Sequence, residues 1–345
     1  MFISGFLQKA ENIIAKKKRM AEEQVFNKGI FEEVCRRYDL GKLNEVPMRE
    51  TRGRINNIFR VQAWSGDYIM RAKELTEWEA SQRAFEHKVT DFLYETGCPI
   101  ETPYFLPNDE GDKITKIGAL SVEVYRRLSG IPGDLRGDVS KTDIIRLAAQ
   151  YHQAIQSFPK EVMPDKHESE YDQSGWLRER LDAIEERVRQ DPKTKIDQVL
   201  GDNRRLIVSA YDLLKENVTP REAELPIHSD MHAGNIIIEG DKVKLIDFGS
   251  VRPGTKSGEL WTESQTSPRK LSEIVETYRE IGELSDEEVA HIRPEGIFRR
   301  LHGIRWTYED MRGTDEKKTS GLDYMIQGLK KSVKQFENQL AGLEN

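Results

Sequence analysis

The sequence of 345 residues is longer than most domains built on one hydrophobic core, and therefore predicts two domains or lobes. Its 37% hydrophobic and 33% charged residues indicate a soluble globular protein, and its formal net charge of -7 argues against a nucleic-acid partner. Two cysteines exclude a disulfide framework and favour a reducing, cytoplasmic setting, and no apolar run reaches the roughly 20 residues that would predict a transmembrane segment.

Residues 1–30 predict an amphipathic helical extension. Apolar side chains recur at helical spacing from Phe2 to Ile14 and form a single stripe, and a basic run follows at 16–19. Such a helix could lie on a membrane surface. It could also pack on the domain or on a second subunit of a homodimer, and packing is the interpretation we favour.

Residues 31–128 predict a small lobe of strands interrupted by one helix. A helical pattern covers 22–38, and two β-like stretches at 54–64 and 68–72 flank Ser65-Gly66-Asp67, which predicts a hairpin. A helix over 78–95 is expected to end at Gly97. Two further strands are expected at 113–117 and 120–125.

From residue 129 onwards the pattern is mostly helical. Residues 129–133 predict a linker, and helices are expected at 142–158, 176–189, 202–217, 270–281, 286–308 with an interruption at 294–296, and 320–343. The exception is 236–246, where an apolar β-branched run, a Glu-Gly-Asp turn and an alternating run predict a lone hairpin.

Side chains that carry oxygen flank this hairpin. Because a short turn brings the ends of antiparallel strands together, Asn235 before the first strand should lie close to Asp247 after the second. Asp230 lies on the entering loop. Carboxylate and amide oxygens suit Mg²⁺, whose remaining ligands can be phosphate oxygens and water. Asp230 would then be left to accept a proton from a substrate hydroxyl.

This loop has two other interpretations. His228 and His232 are four residues apart and could chelate zinc on a helix, but Gly234 and Asn235 lead into a strand, and neither an HExxH acid nor a third soft ligand is nearby. An ordinary polar loop is the second interpretation. It leaves the Asp-Phe-Gly sequence that begins at Asp247 without an explanation.

The pattern His228-x-Asp230-x-x-x-x-Asn235, followed by a hairpin and Ile246-Asp247-Phe248-Gly249, resembles the catalytic and metal-binding loops of the aminoglycoside phosphotransferase family. The resemblance covers roughly residues 31–306. It implies an α+β, bilobal protein-kinase-like fold. The small N-lobe at 31–128, an antiparallel sheet plus a helix, would bind nucleotide, and the larger, mostly helical C-lobe at 129–345 would be catalytic and bind the substrate.

The resemblance also implies roles for the residues of the loop. Asp230 would be the catalytic base, Asn235 and Asp247 would hold Mg²⁺ against the nucleotide phosphates, and His228 would brace the loop by hydrogen bonding. His232 could act near the phosphates, although a role in loop packing is favoured.

In the small lobe, the resemblance implies further nucleotide-binding residues. Asn56 would precede the strand that covers the phosphates, and Arg71 would contact the phosphates, with Lys73 on the same strand face as the competing choice. Glu86 would pair with that cation, and Glu79 is the next candidate. The segment at 122–128, with Glu123 and Tyr125, would bind the nucleotide base through its backbone.

One departure from the family pattern concerns the segment after Ser250. The family commonly has Gly-x-x-x-Asp-Leu opening a helix there, whereas residues 253–261 read PGTKSGELW, which predicts a longer, mobile loop. His152 is expected to be a packed core residue. Substrate contacts in the larger lobe are nominated only by location and chemistry: Tyr171, Asp172, Trp176, Glu259, Trp261 and Trp306.

The implied function is transfer of the γ-phosphoryl group of ATP or GTP, with Mg²⁺, to a hydroxyl of a small molecule. The nominated aromatic and acidic residues suit an aminoglycoside, amino sugar or amino alcohol. A kinase acting on protein is disfavoured because Gly53 stands alone where a glycine-rich loop is required. A nucleotide-binding pseudokinase serving as an interaction module is disfavoured by the presence of Asp230, Asn235 and Asp247.

Overall fold

The computed structural model describes residues 26–50, 57–137, 139–164, 174–190, 194–219, 221–266, 271–309 and 315–342. The contacts divide these residues into two compact units. One consists of those up to Asp91 together with Thr102–Ser129, and the other of Phe92–Glu101 together with those from Gly130 onwards. Four predicted features lie outside the described residues: most of the N-terminal helix, Asn56, the pair Tyr171 and Asp172, and the side chain of Trp176.

The first unit is built on one antiparallel sheet in the order β1-β2-β3-β5-β4. Its elements are α1 (Lys28–Arg37), β1 (Met48–Arg49), β2 (Asn57–Ala63), β3 (Gly66–Lys73), α2 (Glu77–Glu95) up to Asp91, β4 (Thr115–Ile117) and β5 (Leu120–Arg126). The predicted hairpin is confirmed. Ala63 pairs with Gly66, so the turn is Trp64-Ser65, one residue earlier than expected.

The alternation along β3 explains how this unit packs. Tyr68, Met70 and Ala72 point to one face of the sheet, where they are buried against α1. Burial of each large apolar side chain there contributes about 1.5–3 kcal/mol. Arg71 and Lys73 alternate with these residues and therefore lie on the opposite face, where charged partners surround them.

The second unit contains most of the helices and two small sheets, ordered β6-β8-β9 and β10-β7. Its elements are β6 (Ile131–Pro132), α3 (Gly133–Arg136), α4 (Lys141–Ile155), α5 (Ser174–Gln190), α6 (Lys195–Asn217), β7 (Leu225–Ile227), β8 (Ile236–Glu239), β9 (Lys242–Leu245), β10 (Arg252–Gly254), α7 (Lys256–Thr266), α8 (Leu271–Arg279), α9 (Asp286–Glu309) and α10 (Asp315–Leu340). Helices α5, α6, α9 and α10 enclose its main hydrophobic core. No helix in the described part of the chain is both long and apolar enough to cross a bilayer.

The predicted interruption of the helix at 294–296 is wrong. Helix α9 continues through Pro294, which is buried. Proline has no N–H to donate to the carbonyl four residues earlier, and here Gln339 of α10 donates its Nε2–H to that carbonyl, on Ala290, at 3.1 Å. The donor that replaces the lost bond is therefore supplied by a residue 49 positions after Ala290 in the sequence.

Two other expectations are corrected. The linker at 129–133 contains β6, which pairs with β8, and Gly130 (φ +124°) is required there because a Cβ would lie 2.6 Å from the Ile238 carbonyl oxygen. The segment at 253–261 is not a long loop. It forms β10, which pairs with β7, and the first turns of α7. The hairpin at 236–246 is confirmed, but it is not alone, since β6, β7 and β10 are also strands.

Candidate active site

The hairpin brings the two ends of the motif to one place, as predicted. Strands β8 and β9 pair with Ile236 opposite Leu245, and the Ile246 N–H donates to the Asn235 carbonyl at 2.9 Å, which extends the ladder by one step. Asn235 and Asp247 therefore lie at the same open end of the hairpin.

Two side-chain oxygens at this end are available to a cation. The buried Asn235 donates from Nδ2 to the Asp230 carbonyl at 2.9 Å and to its carboxylate at 3.2 Å. The Asn235 Oδ1 accepts no hydrogen bond from the residues that the structure describes, and within the same ranges the exposed Asp247 carboxylate has no hydrogen-bond or ion-pair partner. Both oxygens are hard ligands of the kind that Mg²⁺ prefers.

The backbone at both motifs is held in a sparsely populated conformation. Asp247 has φ 62° and ψ 60°, and Ser229, just before Asp230, has φ 69°. Left-handed conformations of non-glycine residues cost about 1–3 kcal/mol each and persist where the surroundings enforce them, typically at functional sites. At Ser229 and Asp247 this conformation interrupts regular secondary structure, so that Asp230 and Asp247 lie outside helices and strands.

Asp230 is electrostatically suited to act as a base. Burial raises the pKa of its carboxyl above the ordinary value, His232 opposes the rise, Asp247 adds to it, and the hydrogen bond from Asn235 opposes it. A carboxylate with a raised pKa accepts a proton more readily than an ordinary aspartate. The half-exposed side chain remains accessible to a substrate hydroxyl.

His228 is fully buried and holds the loop, the position implied by the resemblance. Its Nε2 donates to the Ile246 carbonyl at 3.0 Å and its Nδ1 accepts the Asp230 N–H at 3.3 Å, an arrangement that requires the neutral tautomer. The ring also packs edge-on against Phe248 at 4.8 Å. Since both ring nitrogens are occupied, His228 cannot ligate zinc without losing a hydrogen bond to the protein.

The remaining histidines of the sequence prediction have structural contacts. His232 accepts the Gly234 N–H at its Nδ1, 3.0 Å away, which caps a short 3₁₀ turn, and its Nε2 lies 3.8 Å from the Asp230 carboxylate. His152 is buried beside the Tyr278 hydroxyl at 2.8 Å, and burial lowers its pKa to about 3. The prediction that His152 is a core residue is confirmed.

A layer of charged side chains beneath Asp230 was missed by sequence reasoning. Both oxygens of Glu259 accept the Ser229 N–H at 3.0 Å, and the Ser229 hydroxyl accepts from Arg252 Nε at 2.8 Å and from Arg299 Nη1 at 3.1 Å. Glu259, nominated as a substrate contact, is therefore buried against the loop. The signal that could have identified it is Glu259-Leu260, which stands at the helix start where the family pattern has Asp-Leu.

Glu259 should make stability depend on pH. Burial raises its pKa to about 7, the N–H groups of Ser229 and His228 oppose the rise, and the Asp230 charge adds to it. A carboxyl with a raised pKa contributes stability that is fully present below its unfolded value of 4.5 and is lost as the pH rises towards about 7.

We therefore expect the free energy of unfolding of the wild type to fall relative to that of Glu259→Gln by up to about 3 kcal/mol between about pH 5 and pH 8. Urea unfolding of both proteins at stepped pH measures this difference. The control Asp241→Asn, in an exposed turn, should show the same change in unfolding free energy with pH as the wild type. Equal pH dependence of wild type and Glu259→Gln would contradict the assignment.

The first unit holds a buried ion cluster around Arg71. Its guanidinium contacts both oxygens of Glu86 at 2.8 and 3.1 Å and Glu123 at 3.1 Å, while Arg83 also binds Glu86 at 2.7 Å and His87 binds Glu123 at 2.7 Å. Burial alone would raise the pKa of Glu123, but the adjacent guanidinium and His87 lower it to about 2. The predicted pair of Arg71 and Glu86 is thus brought together.

The competing cation has its own partner. Lys73 forms an ion pair with Glu79, and both side chains are about a quarter exposed, in contrast to the buried Arg71. Among the atoms of Arg71, the buried Nε–H has no acceptor in the structure. The expected pair of Arg71 and Glu86 therefore forms, Glu79 instead pairs with Lys73, and which cation contacts phosphate stays a prediction.

The segment predicted to bind the nucleotide base forms β5. Glu123 lies opposite Arg71 in the register, the Tyr125 ring packs edge-on against Phe105 at 5.1 Å, and the Val124 carbonyl accepts the Leu106 N–H at 2.8 Å. One lone pair of that carbonyl is therefore already used within the protein. The nucleotide-binding roles of Glu123 and Tyr125 stay predictions.

Comparison with protein families agrees with this geometry. The phosphotransferase enzyme family matches residues 50–262, which is well over half of the chain. The chain therefore belongs to this family, and the predicted enzyme class, a phosphotransferase, is confirmed. No curated protein sequence matches the chain.

Solved structures share the fold at low sequence identity. A microcompartment-associated aminopropanol kinase is 16% identical, with a TM-score of 0.65 over 92% of this chain and 99% of its own. A spectinomycin phosphotransferase solved with ADP and spectinomycin is 13% identical, with a TM-score of 0.63 over 88% of this chain and 97% of its own. An amicoumacin kinase solved with AMP-PNP and Ca²⁺ is 14% identical, with a TM-score of 0.62 over 91% of this chain and 96% of its own. The predicted kinase-like α+β fold is confirmed.

Proposed function

We propose that this chain transfers the γ-phosphoryl group of ATP or GTP, with Mg²⁺, to a hydroxyl of a small molecule. The observation that carries the proposal is the arrangement at the hairpin, where Asn235 is hydrogen-bonded to Asp230 at 3.2 Å and Asp247 lies at the same open end with a carboxylate that no described residue pairs with. The relatives solved with nucleotides and small-molecule substrates, such as the spectinomycin phosphotransferase, support the same reaction class.

The donor set suits Mg²⁺ in particular. Within the described ranges no three His, Cys, Asp or Glu side chains converge to hold a metal ion by themselves. Asn235 Oδ1 and Asp247 would supply two oxygens, and phosphate and water oxygens would complete the octahedron. When bound, Mg²⁺ would neutralise charge on the phosphoryl oxygens.

Asp230 is the proposed base and positioning group for the acceptor hydroxyl. Its carboxylate is held by the Asn235 amide, and its backbone by His228 and by the Glu259 contact at Ser229. Phosphoryl transfer needs positioning and charge neutralisation and no covalent intermediate with the protein. In the first unit, we propose the free Nε–H of Arg71 as a donor to a phosphate oxygen, with Lys73 as the alternative.

Magnesium nucleotide is expected to raise the melting temperature. At a nucleotide concentration about 100 times Kd, binding stabilises the native state by about 2.7 kcal/mol, which corresponds to several degrees. Asp247→Ala should abolish the part of this shift that depends on Mg²⁺, because it removes one of the two proposed ligands. Differential scanning fluorimetry with ATP and with GTP, each with and without Mg²⁺, measures the effect.

The matched control is Asp241→Ala, which removes an exposed carboxylate from the turn of the same hairpin and should keep the full shift. An unchanged melting curve for the wild type with both nucleotides would instead favour an interaction module that does not bind nucleotide.

A further inference from the structure

Arg300 of α9 is a buried arginine with no acidic partner among the described residues. It is 7% exposed, its guanidinium lies over the rings of Trp261 at 5.5 Å and Tyr324 at 4.9 Å, and Nη1 donates to Met325 Sδ at 3.6 Å. Its Nε–H is buried, and no acceptor for it lies among the residues that the structure describes. The cation thus has aromatic and sulfur contacts but no counter-charge.

Two neighbouring arginines on the same helix have carboxylate partners. Arg299 pairs with Glu295 at 2.7 Å, and Arg305 pairs with Glu309 at 3.3 Å. Aromatic faces offset part of the cost of removing a guanidinium from water, but a thioether is a weak acceptor, and a buried charge without an anion is unfavourable. A cation kept in such a place at Arg300 indicates a ligand that supplies the missing charge.

Arg300, Trp261 and Tyr324 form a group of side chains, and helix α10 leaves room there for the Arg300 guanidinium. A Cβ at Gly328 of α10 would lie 2.3 Å from Arg300 Nε and 2.5 Å from Cζ, so any larger residue would displace the side chain. Tyr324 is 62% exposed and Trp261 is half-buried, and these rings form an edge of the group that reaches solvent.

The same group is linked to the catalytic loop. Arg299 also lies over the Trp261 ring at 5.5 Å, and its Nη1 donates to the hydroxyl of Ser229, the residue that precedes Asp230, at 3.1 Å. Arg299 thus separates a molecule bound at Arg300 and Trp261 from the residue that precedes Asp230.

We propose that Arg300, framed by Trp261 and Tyr324, binds a carboxylate of the acceptor, so that the enzyme selects small hydroxyl compounds that carry a carboxylate. The planar guanidinium matches a carboxylate in shape and charge, and the aromatic rings would contact the carbon chain. The inference rests on the proposed function, since it names the acceptor class of the same transfer. Glu259, the buried acid nominated for a cationic acceptor, is already engaged with Ser229.

Matched probes test this selection. L-Serine and ethanolamine, L-threonine and 1-amino-2-propanol, and L-homoserine and 3-amino-1-propanol are pairs in which the members differ by one carboxylate. With Mg²⁺ and ATP present, we expect the carboxylate member of at least one pair to have a kcat/KM about tenfold or more above that of its counterpart, as a charged hydrogen bond provides. Release of nucleoside diphosphate measures the rates.

Arg300→Met should remove the preference for the carboxylate member by raising its KM, while kcat stays nearly unchanged. It should melt no lower than the wild type, because an unpaired buried charge is replaced by an apolar side chain of similar length. Arg305→Met, on the same helix, should keep the preference. Should Arg300→Met not fold, Arg300→Lys keeps the charge without the planar fork and should lower the preference severalfold.

The proposal is overturned if no carboxylate probe reacts better than its counterpart, or if Arg300→Met keeps the preference while melting several degrees lower, which would show a structural arginine. Melting curves with magnesium nucleotide are recorded first. If magnesium nucleotide does not change the melting temperature of the wild type, both the proposed function and the inference are contradicted. If the melting temperature rises as expected but no carboxylate probe is preferred, only the inference is contradicted.

Discussion

Asp230→Asn is expected to lower the rate of phosphoryl transfer by about two to four orders of magnitude while leaving nucleotide binding intact. The amide is isosteric with the carboxylate and can still accept the hydrogen bond that Asn235 donates at 3.2 Å. It cannot take a proton from the acceptor hydroxyl. The expected signature is therefore a fall in kcat with an unchanged thermal shift on addition of Mg²⁺ and ATP.

The control for Asp230→Asn is Asp241→Asn, in the exposed turn of the hairpin, which should keep wild-type kcat. Nucleotide affinity and transfer are measured on the same preparations by calorimetry and by nucleoside diphosphate release. Wild-type kcat in Asp230→Asn would show that the proton is taken elsewhere and would remove the assigned role.

Arg71→Met is expected to destabilise the protein by about 3–5 kcal/mol. Only 4% of Arg71 is exposed, and it neutralises Glu86 and Glu123, which would be left as two buried carboxylates with Arg83 as their remaining arginine. Urea unfolding followed by circular dichroism measures the loss. The matched control is Arg60→Met on the adjacent strand, whose pair with Asp67 is more than a quarter exposed and should be worth about 1 kcal/mol or less.

The cluster also predicts a pH dependence. The pKa of Glu86 and that of Glu123 are both lowered, against the effect of burial, mainly by Arg71. Carboxyl groups with lowered pKa contribute stability that is present above their unfolded value of 4.5 and is lost as the pH falls through the lowered pKa, which for Glu123 is about 2. Arg71→Met should lose this acid sensitivity. Equal destabilisation by Arg71→Met and Arg60→Met would contradict a buried network.

Local signals were sufficient for much of the site. The pattern from His228 to Asn235 and the alternating run after the Glu-Gly-Asp turn place Asp230, Asn235 and Asp247, because a two-residue turn leaves few ways to pair the strands. The alternation on β3 likewise places Arg71 and Lys73 on the charged face.

Features that depend on distant partners could not be predicted. Strand β7 has three residues and is defined by its pairing with β10, about 25 residues later, so neither segment carries a strand signal of its own. The continuity of α9 through Pro294 depends on Gln339. The position of Arg300 depends on Gly328 of another helix, and composition near the site gave no indication of an unpaired cation there.

The same limitation applies to the acceptor. Acids and aromatic residues near the motif suggested an amine-bearing substrate, but Glu259 binds the backbone of Ser229, and the ring of Trp261 faces Arg299 and Arg300. Residue types near a motif indicate candidates, and only the contacts determine which side chains are free to bind a substrate.

Phosphoryl transfer to a small molecule is tested by supplying isotope-labelled ATP or GTP with Mg²⁺ and a panel of aminoglycosides, macrolides, sugars, amino alcohols, hydroxy amino acids and nucleosides. Mass spectrometry then identifies which compound carries the labelled phosphate. We predict a labelled phosphate ester of a small molecule, formed by the wild type and lost in Asp230→Asn and Asp247→Ala. Label on protein alone, or a product that forms equally in Asp230→Asn, would contradict the account.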